Sequence, residues 1–120
     1  RLPTEWEWQA VADYDGSYYY GCGKSIDQTK ANYYDNVYAN PLGLTSTPYT
    51  SPVNYYPSYG YGINDMAGNV YEWTSSIYGG NDIVLRGGAW DDIEWKCCVG
   101  LRYPVYMTSI GGGLGFRVCR

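Results

Sequence analysis

Four cysteines, twelve Asp and Glu residues and no histidine bound the chemistry open to this 120-residue chain. Cys22, Cys97, Cys98 and Cys119 show no C-x-x-C spacing, and zinc would also want His, so no zinc site is expected. The lack of imidazole removes the usual general base and the usual iron ligand as well. Cys97 and Cys98 would point to opposite faces of a strand. Buried free thiols are the first expectation, with one long-range disulfide as the alternative in an oxidising compartment. Hard oxygen ligands are better provided for. In "DMAGNVYEW", Asp65 and Glu72 flank Gly68, whose tight turn can present backbone carbonyls, and calcium takes about six to eight such oxygens. The competing reading pairs Glu72 with Arg86 or Arg117 and leaves Asp65 capping a turn.

Composition narrows the partners. The net charge is −4 with no run of Lys or Arg, which argues against a nucleic acid, since phosphate binding needs clustered cations. No apolar stretch approaches the roughly 20 residues of a membrane span, so no membrane insertion is expected of this segment. The chain carries 16 Tyr against a single Phe, and amphipathic rings in such excess suit both a core and a contact surface.

The elements that must position these residues are few. "PTEWEWQAVADY" predicts the main helix, with Thr4 and Glu7 as a capping box, Trp6, Ala10 and Val11 as its apolar face, Trp8 to the side, and Asp15-Gly16 as its stop. Residues 16 to 60 have no period and read as a loop-rich region held by scattered aromatic anchors. "NVYEWTSSIY", "DIVLRGG" and "GLGFRVC" predict short strands. The expected class is α+β, with one helix, a small antiparallel sheet and much structured loop.

The blocks "RLPTEWEW", "KANYYDN", "SPVNYYPSYGYGINDMAGNVYEW", "VLRGGAW" and "GFRVCR" resemble, in order and spacing, the formylglycine-generating (sulfatase-modifying factor) domain family over nearly the whole chain. The resemblance implies a C-type lectin-like fold, one domain over 1–120, and a family domain whose N-terminal part lies outside this stretch. It implies a structural calcium held by Asp65, the backbone oxygens of Gly68 and Val70, and Glu72. A second family site, at Asn32, lacks its acid in "TSTPYTSPV". Trp73, Arg86, Gly87, Gly88, Trp90, Arg102, Phe116 and Arg117 are expected as scaffold. Catalytic members use a cysteine pair shortly after "RGG", and two thiolates suit copper(I). Counted from "RGG", the second position of that pair is Cys97 but the first is Asp92, and the serine expected after "RGG" is Ala89. No copper is expected.

Between "RGGAW" and "GFR" the pattern dissolves. In family members attached to diversity-generating retroelements, this segment is variable, which makes residues 91–113 the expected ligand-binding segment. Asp91, Asp92, Ile93, Glu94, Trp95, Tyr103, Val105, Tyr106, Met107, Thr108, Ser109 and Ile110 are its candidate contacts. Most of the types present are reachable from an Asn codon by replacing its adenines alone; Trp and Met are not. Aromatic and apolar groups with an acidic rim fit a protein ligand, and a sugar is the second choice. Such a module belongs on a cell or virion surface. The alternatives are an oxidase relative acting on protein cysteine, and an invariant structural or carbohydrate-binding domain.

Overall fold

The capping box forms as expected in the computed structural model, which describes residues 1–120. Thr4 Oγ1 accepts from the Glu7 N–H at 3.2 Å, and the Glu7 carboxylate accepts from the Thr4 N–H at 2.8 Å. Helix α1 (Glu5–Ala12) follows and caps on Asp13, short of the expected Asp15-Gly16 stop, because Tyr14 already turns left-handed at φ 55°. Its inward face also differs from expectation. Glu5, Trp8 and Ala12 are buried, whereas Trp6 and Ala10 are exposed. The cause is electrostatic. Arg86 and Arg102 hold the Glu5 carboxylate inside, and Trp6 lies over both guanidiniums at 5.7 and 5.5 Å.

Four strands form one sheet in the order β3-β2-β1-β4: β1 (Tyr71–Gly79), β2 (Asp82–Arg86), β3 (Tyr103–Tyr106) and β4 (Leu114–Gly115). β1 and β2 make a hairpin, and β3 adds antiparallel to β2. β4 runs parallel to β1 and is only two residues long, so the sheet is mixed and "GLGFRVC" is not a full strand. Arg117 turns inward to reach Glu72, which puts Phe116 and Val118 on the outside. Phe116 is 71% exposed.

No helix or strand interrupts the chain between α1 and β1. Buried Tyr20, Tyr33 and Tyr56 anchor that region, as its tyrosine content predicts. Two asparagines stitch it to the sheet. The side-chain N–H of Asn32 donates to the Tyr49 carbonyl at 2.8 Å and to Asn69 Oδ1 at 3.2 Å, and Asn69 Oδ1 also accepts from the Ser51 N–H at 2.9 Å. The apolar core is divided into small clusters: Tyr20, Cys22, Ala31, Tyr33, Ala67 and Cys97; Trp8, Ala12, Met66 and Val99; and Tyr71, Leu85 and Ala89. All four cysteines are free thiols, and Cys22 and Cys97 are buried.

Candidate functional site

After β2 the chain makes a bracket that only glycines can build. Gly87 and Gly88 are left-handed at φ 95° and 75°; Gly87 backs onto the Trp8 indole and Gly88 onto Cys97. Trp90, 7% exposed, packs its ring against Tyr38 and Tyr49, with centroids 5.6 and 5.4 Å away. Its backbone N–H donates to the Asn69 carbonyl at 2.9 Å, and this ties the bracket to the loop region. Trp73, by contrast, is only half-buried, against the Tyr71, Leu85 and Ala89 cluster.

The expected contact residues divide. Asp91, Ile93, Glu94, Trp95, Tyr103, Tyr106, Met107, Thr108 and Ile110 are exposed, Trp95 at 52% and Ile110 at 95%. Val105 and Ser109 are half-buried. Asp92 is a correction: it is buried and serves the bracket, accepting from the Ala89 N–H at 3.2 Å and pairing with Lys96 at 3.1 Å. An acid three residues past Ala89 closes the turn locally, so it is not free for a ligand. The contacts also do not share one face. Asp91, Tyr103, Val105, Ser109 and Ile110 border one cleft with Tyr71 and the Gly111–Gly113 turn. Alternation along β3 puts Tyr106 on its other side, where Asn81 donates to the Tyr106 hydroxyl at 3.4 Å.

Beneath the surface lie two acid-arginine centres. Glu72 forms a two-pronged pair with Arg117 and also accepts from the Trp8 indole N–H, so both its oxygens are engaged. Glu5 accepts from Arg102 at 2.6 and 2.7 Å and from Arg86 at 3.3 Å. The arginine expectations resolve accordingly: Arg117 meets Glu72, while Arg86 and Arg102 meet Glu5. Asp65 differs from both acids. Its two oxygens are buried without a hydrogen-bond partner, and burial raises its pKa against the pull of Arg117 and of an Asn54 N–H outside hydrogen-bond geometry.

The sequence pattern of the sulfatase-modifying factor enzyme 1-like domain matches residues 1–120. The chain belongs to that family. Within this family it is 37% identical over 131 residues to the inactive C-alpha-formylglycine-generating enzyme 2 of Mus musculus, a match that takes in 98% of this chain and 42% of that protein. It is 32% identical over 141 residues to the serine/threonine-protein kinase pkn1 of Chlamydia caviae, covering all of this chain and 21% of that protein. Among solved structures, Treponema denticola variable protein 1 superposes with a TM-score of 0.79 at 26% identity, over 97% of this chain and 45% of that one. The chain therefore spans less than half of each of these relatives. Its fold is the loop-rich, C-type lectin-like one expected.

The residues at this chain's copper position do not fit the ion. Asp92 already serves Ala89 and Lys96, and a carboxylate is a poor copper(I) ligand. The Cys97 thiol is fully buried, and its pKa is pushed far up, first by burial and then by the Asp92 charge. The calcium position fits in part. Asp65 offers two unpartnered oxygens beside a cleft of about 380 Å³ that also reaches Asn69, Val70 and Glu72. Glu72 is the weak member of the expected set, because Arg117 and Trp8 hold it. Sequence reasoning missed Glu5, Lys96 and the buried hydroxyl of Tyr71. For Glu5 nothing local could have shown it, since its partners are 81 and 97 residues away.

Proposed function

We propose that this chain is a non-catalytic ligand-binding module, of receptor or adhesion type, presenting a variable surface over residues 91–113. The observation that carries the reading is an inversion of burial. The large side chains Ile93, Trp95, Tyr106 and Met107 stand exposed, while of the points between them that match the family Cys97 and Val99 are buried, Leu101 is half-buried, and Arg102, though exposed, is held by the Glu5 carboxylate. Likeness to a variable protein of Treponema denticola supports it. A protein is the ligand class that exposed aromatics with an acidic rim suit best, with a sugar second, and the place for such a module is a cell or virion surface. The competing reading, an oxidase acting on protein cysteine, meets the mismatch at Ala89, Asp92 and Cys97.

Changing Ile93, Trp95, Tyr106 and Met107 together to Ser should lower stability by no more than about 2 kcal/mol, since exposed substitutions move it by about 0.5 kcal/mol each. Tyr103 is left out because its ring stacks on Tyr71. Thermal unfolding reads the outcome, and collapse of the variant would make the stretch scaffold and end the reading. A near-copy of the coding segment for 91–113, with adenines at the differing positions and a reverse transcriptase gene beside it, would establish the variability.

Two further expectations follow from the metal positions. Copper(I)-loaded protein given a sulfatase-type Cys peptide should yield no aldehyde by mass spectrometry; turnover would overturn the non-catalytic reading. We propose that calcium, when bound, lends charge compensation to Asp65, with the Gly68 and Val70 carbonyls as further ligands. A chelator should then lower the melting temperature of the wild type and leave that of Asp65→Asn unchanged. Glu72→Ala does not discriminate, because it breaks the Arg117 pair with or without calcium. A wild-type melting temperature indifferent to chelator rules the ion out.

A further inference from the structure

We propose that the cleft between Tyr71, Tyr103 and the Gly111–Gly113 turn receives a cationic side chain, arginine or lysine, from a protein partner. The proposal rests on the display reading above and assigns a chemistry to one part of that surface.

The cleft has a volume of about 410 Å³. One wall is a pair of stacked rings, Tyr71 and Tyr103, with centroids 4.8 Å apart and planes inclined by 23°. Tyr71 is 6% exposed, yet its hydroxyl has no hydrogen-bond partner. That hydroxyl lies near Asp92 but outside hydrogen-bond geometry to it. A buried phenol left unpaired is unfavourable, so the arrangement lacks one group.

The charges say which kind of group. Two carboxylates border the cleft, Asp91 and Asp92. Lys96 pairs with Asp92 at 3.1 Å, and the Ala89 N–H takes the other Asp92 oxygen. Asp91 has no ion pair and no hydrogen bond; its Oδ1 sits beside Gly113, 3.7 Å from where a Cβ would stand. Two negative charges thus share one cation. The pKa of Lys96 is raised, mainly by its bond to Asp92 and further by Tyr103 and Asp91, which shows that the neighbourhood favours positive charge.

A guanidinium or ammonium group meets the open acceptors of the cleft, though not the unpartnered Trp90 indole N–H beside Gly113. Its N–H groups can donate to Asp91 and to the Tyr71 oxygen, its charge sits against aromatic rings, and its aliphatic stem lies along Val105 and Leu114. An apolar group would leave Asp91 and Tyr71 unpaired, and an anion would be repelled. The glycines of the turn keep the approach open, since Gly111 meets nothing closer than Leu114 at 3.8 Å.

The test is an NMR titration of the ¹⁵N-labelled chain with N-acetyl-arginine amide, N-acetyl-lysine amide, the neutral isostere N-acetyl-citrulline amide, and methyl glucoside. The expected result is saturable shifts of the Trp90 indole N–H and the Gly111–Gly113 amides with a cationic probe, and none with citrulline. Asp91→Asn, at an exposed and unpaired position, should keep its melting temperature and weaken the response at least tenfold. Lys96→Met, which frees Asp92, should strengthen it severalfold. Equal shifts with citrulline, saturation by methyl glucoside at the same resonances, indifference to Asp91→Asn, or silence with every probe would each overturn the proposal. The titration judges the cleft alone. If it fails while the Ile93, Trp95, Tyr106 and Met107 variant stays folded, the display reading survives without this subsite. If that variant unfolds, the display reading falls whatever the probes do.

Discussion

Arg86→Ala should lose about 3–5 kcal/mol of stability, the range for stripping one partner from a buried ion pair, and that is a large share of the roughly 5–15 kcal/mol a domain possesses. Arg86 is fully buried at the end of β2. It donates to the Val99 carbonyl at 2.6 Å, the Leu101 carbonyl at 3.2 Å, Gln9 at 2.7 Å and Glu5 at 3.3 Å. Truncation strands the buried Val99 carbonyl, leaves Arg102 as the one cation on Glu5, and removes the tie from Gln9 of α1 to the backbone at Val99 and Leu101. Arg86→Lys should rescue little, because one ammonium cannot span acceptors arranged for a planar fork. Urea denaturation measures both. A loss below about 1 kcal/mol for Arg86→Ala, the size of an ordinary substitution, would show that the centre is peripheral to folding.

Acid reaches the same centre through Glu5. Its pKa is lowered chiefly because Arg102 donates to it, with the charges of Arg102 and Arg86 adding, while burial opposes. A folded-state pKa below the unfolded one means the stabilisation is complete above the free Glu value of about 4.3 and is lost as pH falls through the folded value. The melting temperature should therefore drop in that acid window, and Glu5→Gln should flatten the drop.

What the sequence disclosed and what it hid follow one rule of distance. The capping box needs only Thr4 and Glu7, three residues apart, so it was legible. So were the strands that pair as β1 and β2 and the glycine bracket, each set by neighbours. The inward face of α1 was not, since it depends on arginines 81 and 97 residues away that make a glutamate the buried residue and a tryptophan the exposed one. The exposure of Phe116 has a similarly distant cause: its neighbour Arg117 is turned inward by Glu72, 45 residues earlier. Asp92 is the instructive exception. Its bond to the Ala89 N–H is local, and an acid closing a tight turn could have been weighed against a contact role. With sixteen tyrosines in the chain, composition could announce anchors without saying that Tyr20, Tyr33 and Tyr56 are the ones inside.

Gly88→Ala and Gly111→Ala should separate the bracket from its contents. At Gly88 the backbone is left-handed at φ 75°, and an added Cβ would stand 2.6 Å from Cys97 Sγ and 3.0 Å from both Cys97 Cα and the Lys96 carbonyl. Two of those three atoms are backbone, so no side-chain rotation relieves the contact. Left-handed strain of about 1–2 kcal/mol and overpacking of about 1–3 kcal/mol combine into a loss of several kcal/mol. Gly111 meets only Leu114, at 3.8 Å, and has no positive φ, so Ala there should fall within about 0.5 kcal/mol of wild type. Thermal unfolding of the two variants side by side is the measurement, and equal losses would mean that the interior is as constrained as its frame. The contrast has a structural reason. Cys97 is the point where the 91–113 stretch is clamped to Gly88, and it is fully buried among Tyr20, Tyr33 and Ala67. On the display reading, the exposed side chains near that clamp, Ile93, Glu94 and Trp95, are the ones open to change, provided the glycine that receives the clamp keeps no side chain of its own.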